Sequence, residues 1–344
     1  MKIPLVLLLW CASVLLCDVQ SAAFVEKRGS VLEMVFFINI VGCLVPGGAC
    51  LLCRSGGWRE LWQAAILLYE SATLWRLFFV VNFVNVLATY LMFSSFTFAG
   101  MTHVYAIKTT EPLVMCLLST EIVQRVIRGF FADGRNTKSG STDIDPYPMS
   151  TKIVSSSTWV SVFFVCIGAS LTSGSLKRSG ESSLGAAVIM FTYILVFASN
   201  AALSLRTTLM KPLLHIIPND GTIFPSCLVH FFVLLLSSIT LLGPVLAFRG
   251  RDIMEYNADI WRQIVVVGIS YGVYQVFNGV VLFHVAPLSY SILKQVRVIL
   301  VFFFSAYYFG KEFDSVLQLL MGLIFIVCWK LLLCSVLVEF KKIL

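Results

Sequence analysis

Charged residues are scarce in this chain. Aspartate, glutamate, lysine and arginine make up 12% of its 344 residues, whereas 58% are hydrophobic and the mean hydropathy is +0.90. A soluble domain carries about 25% charged residues to keep its surface in water. This shortage excludes a soluble globular protein and predicts that lipid covers most of the surface.

Sequence signatures of catalysis are also missing. The chain has no His-Glu-x-x-His metal helix, no Gly-x-Ser-x-Gly nucleophile elbow and no Gly-x-x-x-x-Gly-Lys-Ser/Thr phosphate loop. Its 4 histidines are scattered, and no two have the spacing of metal ligands. We therefore do not expect an enzyme, and we expect neither a cofactor nor a metal.

The basic residues and the cysteines indicate no further class of function. The net charge of +7 comes from residues in predicted loops and helix ends, as membrane topology requires. No basic patch interleaved with aromatic residues is present, so nucleic acid is not an expected partner. Most of the 10 cysteines lie in apolar stretches, where they act as small hydrophobic residues.

Long apolar segments are what the sequence has in abundance. About 20 residues cross a bilayer as a helix, so the length allows roughly nine to eleven spans. We predict spans at 31–53, 58–75, 76–96, 101–120, 158–174, 184–206, 223–246, 263–284, 286–309 and 315–338. The 58–75 segment is the most polar of them and could instead be a tilted helix or a loop helix.

The order of the segments predicts two halves. Residues 1–23 have the form of a signal peptide, with an apolar run before the small residues Ser21-Ala22-Ala23, or they form a lead-in helix. A first helical repeat with four spans occupies 24–120, and a fifth span at 158–174 completes it. Residues 121–157 form a polar central loop, and 175–344 form the second repeat.

Two segments in equivalent positions of the halves look alike. Each has an aromatic residue, then a lysine, then a second charge three residues later. These are Tyr105, Lys108 and Glu111 in the fourth span, and Tyr290, Lys294 and Arg297 in the ninth. Because an odd number of helices separates them, the halves would have opposite orientations. We thus predict an all-α membrane protein of about ten helices built as an inverted five-plus-five repeat, a common transporter design.

Charges inside a span are the strongest functional signal, because each costs at least ~2.5–3.5 kcal/mol at mid-bilayer. Lys294 and Arg297 share one helix face, where they repel each other unless an anion lies between them. They predict a phosphate site, with the arginine gripping two oxygens. Lys108 is a further candidate, although Glu111 can neutralise it locally. The alternative is that these side chains reach the membrane surface from helix ends.

Polar side chains at helical spacing line other spans. Tyr271, Tyr274 and Asn278 share one face of the eighth span and could hydrogen-bond sugar hydroxyls or stack on a ring. Similar stripes are Asn82, Asn85 and Thr89; Thr192, Ser199 and Arg206; and Ser226, His230 and Ser237. A single stripe usually joins helices, whereas several stripes beside buried cations indicate a shared water-filled cavity.

These segments resemble the triose-phosphate translocator and nucleotide-sugar transporter families of the drug/metabolite transporter superfamily. The stretch Phe98–Pro112 is similar to their Ser-Phe-x-x-x-Ile-Lys-x-x-Glu-Pro segment. Tyr271–Asn278 resembles their Tyr-x-x-Tyr-Asn region, and Ala286–Arg297 resembles Ser-Pro-x-Thr-x-Ser-Val followed by a basic pair. The resemblance covers roughly residues 76–338.

The resemblance implies a ten-helix antiporter that works by alternating access. It would exchange a nucleotide sugar or sugar phosphate for a nucleotide monophosphate or phosphate. Lys108 and the basic residues of the ninth span would hold the phosphate, although Val298 stands where the families have an arginine. This departure leaves an alternative open, a non-transporting membrane scaffold or assembly factor that keeps the carrier fold.

The same resemblance implies a location and partners. We expect a multi-pass protein of the Golgi or endoplasmic reticulum membrane, with a plastid-type membrane as the alternative. The lipid bilayer and a phosphorylated small molecule are the expected partners. The oligomeric state is open, with a homodimer as one option.

Overall fold

A computed structural model describes residues 3–28, 30–52, 62–63, 65–66, 72–98, 101–120, 159, 163, 186–216, 223–291 and 293–294. Across these ranges the chain is helical apart from short turns, and they contain no β-strand. The prediction of an all-α chain is confirmed for this part of the protein.

The described residues form the following helices, in chain order. They are α1 (Ile3–Arg28), α2 (Val31–Gly42), α3 (Leu44–Leu52), α4 (Ala72–Phe98), α5 (Met101–Lys108), α6 (Glu111–Leu118), α7 (Ala186–Ile216), α8 (Ile223–Met254) and α9 (Ala258–His284). After α9 the chain is helical again at 287–291 and 293–294.

Five described segments are long and apolar enough to cross a membrane. They are Val31–Leu52, Leu74–Phe98, Met190–His215, Phe224–Arg249 and Ala258–His284. Each overlaps a predicted span, because the thickness of the bilayer fixes the length of the apolar run. The protein is therefore a multi-pass membrane protein.

The predicted boundary between the second and third spans is wrong. Helix α4 begins at Ala72 and runs without interruption to Phe98, so the last residues of the predicted span 58–75 belong to it. Trp75 and Arg76 have the composition of a membrane interface and are exposed. Such residues can lie inside the first turns of a continuous helix, which is the case here.

The N-terminal segment forms a packed helix of the bundle. Helix α1 lies along α9 and also contacts α4. Its Trp10 and Phe24 are fully buried, at 0% and 1% exposure. The side-chain amide of Gln263 donates a hydrogen bond to the carbonyl oxygen of Gln20 at 3.1 Å. The segment predicted as a signal peptide or lead-in helix thus contributes to the core.

A proline divides α2 from α3. Pro46 has no N–H to bond to the carbonyl oxygen of Gly42, four residues earlier, so the helix is interrupted at Cys43. The freed carbonyl faces α9, where a Cβ atom on Gly272 would collide with it. Gly42 and Gly272 therefore let α2 and α9 approach closely.

Helices that are distant in the sequence pack on one another in the bundle. Helix α1 packs mainly on α9, and α7 packs mainly on α4. Helix α2 contacts both α8 and α9, while α8 contacts α2, α3, α4 and α9.

The predicted central loop at 121–157, the span at 315–338 and most of the spans at 158–174 and 286–309 lie outside the described residues.

Candidate functional site

The predicted fourth span is a broken helix. Helix α5 ends at Lys108 and α6 begins at Glu111, with Thr109 and Thr110 in a turn between them. Pro112 causes the break, because it lacks an N–H and its ring would clash with the carbonyl of Lys108. Broken helices inside a membrane commonly form the ion and substrate sites of transporters.

Helix α7 stabilises this break. The side-chain amide of Asn200 donates hydrogen bonds to the carbonyl oxygen of Ile107 at 3.4 Å and to the hydroxyl of Thr110 at 3.0 Å. These bonds join α7 to the turn between α5 and α6, where backbone groups without partners would be costly in lipid. The break is therefore a supported feature of the bundle.

A buried ion pair lies at the start of α6. The Nζ atom of Lys294 is 2.6 Å from Oε1 of Glu111, and both side chains are buried. Glu111 is the first residue of α6, where the positive end of the helix dipole favours a carboxylate. The carboxylate of Glu111, considered from the sequence as a local partner of Lys108, thus forms an ion pair with Lys294 across the bundle.

Lys108 is buried on the other side of the break. Its Nζ atom lies 2.8 Å from Sδ of Met92 and 5.4 Å from the ring centroid of Tyr105. Phe96 stacks on Tyr105, with centroids 6.1 Å apart. The Nζ atom of Lys108 therefore contacts a thioether sulfur and lies over an aromatic ring.

Four aromatic rings lead from α9 to the ion pair. Tyr271 and Tyr274 have centroids 6.2 Å apart, Tyr274 and Trp10 are stacked at 6.4 Å, and Trp10 and Tyr290 are 6.2 Å apart. Lys294 lies over the Tyr290 ring, 4.8 Å from its centroid. We call Tyr271, Tyr274, Trp10 and Tyr290 the aromatic series.

Asn278 lies one helical turn from Tyr274 on α9. Its Nδ2 atom donates a hydrogen bond to Oε1 of Gln275 at 3.3 Å, whereas its Oδ1 atom is buried without a hydrogen-bond partner. A buried carbonyl oxygen without a donor is unusual in folded proteins. This oxygen is available to a ligand hydroxyl or amine.

A polar network lies between α4, α7 and α8. The Nη1 atom of Arg206 donates to Oδ1 of Asn85 at 2.6 Å, and Nδ2 of Asn85 donates to the Ser237 hydroxyl at 3.1 Å. Ser237 donates to Oδ1 of Asn82 at 2.7 Å, and Asn82 donates to the Thr240 hydroxyl at 3.1 Å. The polar stripes of these three spans thus meet one another.

The structure connects some predicted site residues and separates others. Lys294, Tyr271 and Tyr274 belong to one connected series, and Asn278 lies next to it on α9. The described contacts of Lys108 are with Met92 and Tyr105. Arg297 lies outside the described residues.

Trp10 is the residue of this site that the sequence did not predict. It lies in the apolar run assigned to a signal peptide or lead-in helix, and such runs carry no binding residues. One signal could have found it, because tryptophan in membrane proteins concentrates at the membrane interfaces. A tryptophan inside an apolar run departs from that rule.

Comparison with known proteins supports the fold. No protein-family model and no curated protein matches the sequence. A crystal structure of a protein matches with a TM-score of 0.57 and 12% sequence identity, over 95% of this chain and 96% of its own length. At this identity the likeness extends to the fold alone.

Proposed function

We propose that this protein is an antiporter that exchanges a nucleotide sugar or sugar phosphate for a nucleotide monophosphate or phosphate. It would work by alternating access on an inverted five-plus-five repeat. The observation that carries the proposal is the buried Lys294–Glu111 pair, located at a broken helix and beside the aromatic series.

The helix contacts support the inverted repeat. We count α1 as the first span and 31–53 as the second, and we leave out the polar segment 58–75. Ten spans remain, and the third to the tenth keep the numbers that they had in the sequence prediction. An inverted repeat then equates the first span with the sixth and the third with the eighth. The contact of α1 with α9 therefore corresponds to that of α7 with α4, and both are extensive.

Individual side chains follow the same correspondence. Trp10 of the first span contacts Tyr290 of the ninth. Asn200 of the sixth span contacts Thr110 of the fourth, which is the equivalent pair of spans. The ion pair joins the fourth and ninth spans, which are equivalent to each other, as expected near the axis of a pseudo-two-fold repeat.

The ion pair offers a mechanism for exchange. Separating Lys294 from Glu111 leaves buried charges without partners, at a cost of roughly 3–5 kcal/mol. A phosphate that takes the place of the carboxylate on Lys294 removes part of this cost. The two halves of the bundle then change orientation more easily with an anion bound than without one. This coupling favours exchange of two anions over transport in one direction.

The aromatic series supports a substrate with a ring. Trp10 and Tyr274 stack at an interplanar angle of 25°, next to the tyrosine that lies under Lys294. Aromatic side chains can stack on the nucleobase of a substrate. The hydroxyl of tyrosine and the indole N–H of tryptophan can form hydrogen bonds with sugar hydroxyls. The unpaired Oδ1 of Asn278 adds an acceptor for a sugar hydroxyl.

The proposed topology also favours a side of the membrane. With α1 as a span, both chain ends and the central loop lie on one side. The loop 121–157 carries Arg125, Arg128, Arg135, Lys138 and Lys152, and basic residues favour the cytosolic side. The proposal therefore has cytosolic chain ends, and the membrane is that of the Golgi or endoplasmic reticulum, as the resemblance to the nucleotide-sugar transporter families implies.

A thermal-unfolding screen of the detergent-purified protein tests this function. The panel contains nucleotide sugars, nucleotide monophosphates, triose and hexose phosphates, and inorganic phosphate. A ligand at 100 times its dissociation constant stabilises the folded state by about 2.7 kcal/mol. Stabilisation by one class, followed by counterflow of that class in proteoliposomes, is the expected result. A folded sample that responds to none of them favours the scaffold or assembly factor.

A further inference from the structure

Arg206 is a further buried cation in the bundle, besides Lys294 and Lys108. Arg206 of α7 falls within the span Met190–His215 and is 3% exposed. Its Nη1 atom bonds to Asn85, whereas its Nε atom is buried without a hydrogen-bond partner. Within the described ranges, no carboxylate forms an ion pair with it. An isolated charge in such a place is costly unless an anion joins it.

The polar network fixes the position of this arginine. Because Nδ2 of Asn85 is committed to Ser237, its Oδ1 atom points to the guanidinium as an acceptor. Asn85 and Ser237 each lie near the middle of their spans. A neutral amide holds the guanidinium in place but does not neutralise it, so the positive charge stays at mid-membrane depth.

The neighbours of Arg206 join it to the candidate site. Helix α7, which carries Arg206, contacts α9, which carries Tyr271, and Leu205 beside Arg206 packs against the apolar cluster that contains Tyr271 and Tyr274. Tyr271 is the first ring of the aromatic series, which ends at Lys294. Arg206 therefore lies on a helix that packs beside the aromatic series, and Lys294 lies at the far end of that series.

We propose that Arg206 is a binding residue for a phosphate oxyanion of the transported molecule. Lys294 already has the Glu111 carboxylate, whereas Arg206 has a neutral acceptor only. The planar guanidinium can grip two phosphate oxygens at once. This assignment rests on the proposed function, because a carrier opens a path from water to mid-membrane.

The variant Arg206→Gln in the full-length, detergent-purified protein tests the assignment. Glutamine keeps a side-chain N–H donor and removes the charge. Thermal unfolding is measured without ligand, and then with inorganic phosphate and nucleotide monophosphates against chloride at equal ionic strength. We expect an unchanged or higher ligand-free midpoint, because an unpaired buried charge is gone, and an affinity for the phosphorylated probes at least about 30-fold weaker.

The opposite pattern overturns the assignment. A lower ligand-free midpoint with wild-type affinity would make Arg206 a residue that only joins helices. Arg206→Lys keeps the charge without the fork, so it should weaken binding less than Arg206→Gln and still fold. If Arg206→Gln does not fold, wild-type affinity in Arg206→Lys overturns the assignment, and weakened affinity supports it.

A matched control separates this role from the general effect of charge. Arg249→Gln removes a cation whose side chain is 46% exposed, and it should leave phosphate affinity unchanged. A wild-type protein that responds to no phosphorylated probe overturns the proposed function and this assignment together. A wild-type response that persists in Arg206→Gln overturns the assignment alone.

Discussion

Lys294 and Glu111 form an ion pair across 183 positions of the sequence, with Nζ 2.6 Å from Oε1. Both side chains are buried, and the pair joins the start of α6 to the helical residues after α9. Buried pairs contribute little net stability, although removing one partner is strongly destabilising. A contact of this kind suits the alternating access that we propose, because breaking the pair requires a replacement for the lost charge.

Neutralising Lys294 alone should destabilise the protein. Lys294→Met leaves the Glu111 carboxylate buried without its cation, which should lower the free energy of unfolding by roughly 3–5 kcal/mol. The thermal unfolding midpoint in detergent, compared with that of the wild type, measures the effect.

The double variant Lys294→Met/Glu111→Gln is the control for this prediction. It removes both charges, so it should recover most of the lost stability while exchange transport stays absent. Single-variant effects that simply add in the double variant would show that the two residues are not coupled. Recovery of transport would contradict the role of the pair in exchange.

We expect α1 to remain in the mature protein. Trp10 is fully buried between Tyr274 and Tyr290, and removal of residues 1–23 would expose the core that it covers. The intact mass of the protein purified from membranes should therefore include this segment. An intact mass that corresponds to a chain starting at Phe24 would contradict the prediction.

A pair of substitutions in α1 tests the same packing. Trp10→Ala should cost roughly 3–5 kcal/mol of unfolding free energy, as large buried aromatic residues do. Leu16 is 44% exposed, so Leu16→Ala should change the unfolding midpoint little. Equal effects of the two variants would mean that α1 is not packed as described.

The sequence predicts apolar spans well because the bilayer sets their length. All five described spans overlap predicted ones. The predicted boundary between the second and third spans was wrong at Ala72–Trp75. Interfacial residues occur at helix ends and also within the first turns of a longer helix. A pattern of residue types contains no information about which of these applies.

The partner of Glu111 could not be predicted for a different reason. Lys108 and Glu111 are three residues apart, a spacing that brings side chains together only in a continuous helix. The break at Thr109 and Thr110 removes that geometry. The actual partner, Lys294, comes from the packing of distant helices, which spacing does not encode.

Close packing of α2 on α9 should make Gly272 intolerant of a side chain. A Cβ atom there would collide with the backbone oxygen of Gly42 and would meet Val45 Cβ at 2.8 Å. Because a backbone atom cannot move without shifting the helix, Gly272→Ala should destabilise the protein by roughly 1–3 kcal/mol. Thermal unfolding in detergent measures this.

Gly243 provides the matched control for Gly272. It lies in α8, and an added Cβ atom meets nothing within 4 Å. Gly243→Ala should therefore change stability little, because the preference of alanine for a helix, about 1 kcal/mol over glycine, is offset in part by crowding of the new Cβ atom against Pro244, the next residue. A loss of stability at Gly243 equal to that at Gly272 would refute the packing argument.

Asn278 and Asn82 should respond differently to alanine, although both are buried. Asn82 is satisfied by Ser237 and Thr240, so Asn82→Ala removes two hydrogen bonds, including the acceptor of the buried Ser237 hydroxyl, and should lower the unfolding midpoint by the equivalent of about 1–3 kcal/mol. Asn278 has an unused Oδ1 atom. Asn278→Ala should weaken binding of the stabilising ligand by roughly fivefold to tenfold, the loss of one hydrogen bond, with a smaller change in ligand-free stability. Ligand titrations of both variants by thermal unfolding separate the two roles, and unchanged affinity in Asn278→Ala would remove this residue from the site.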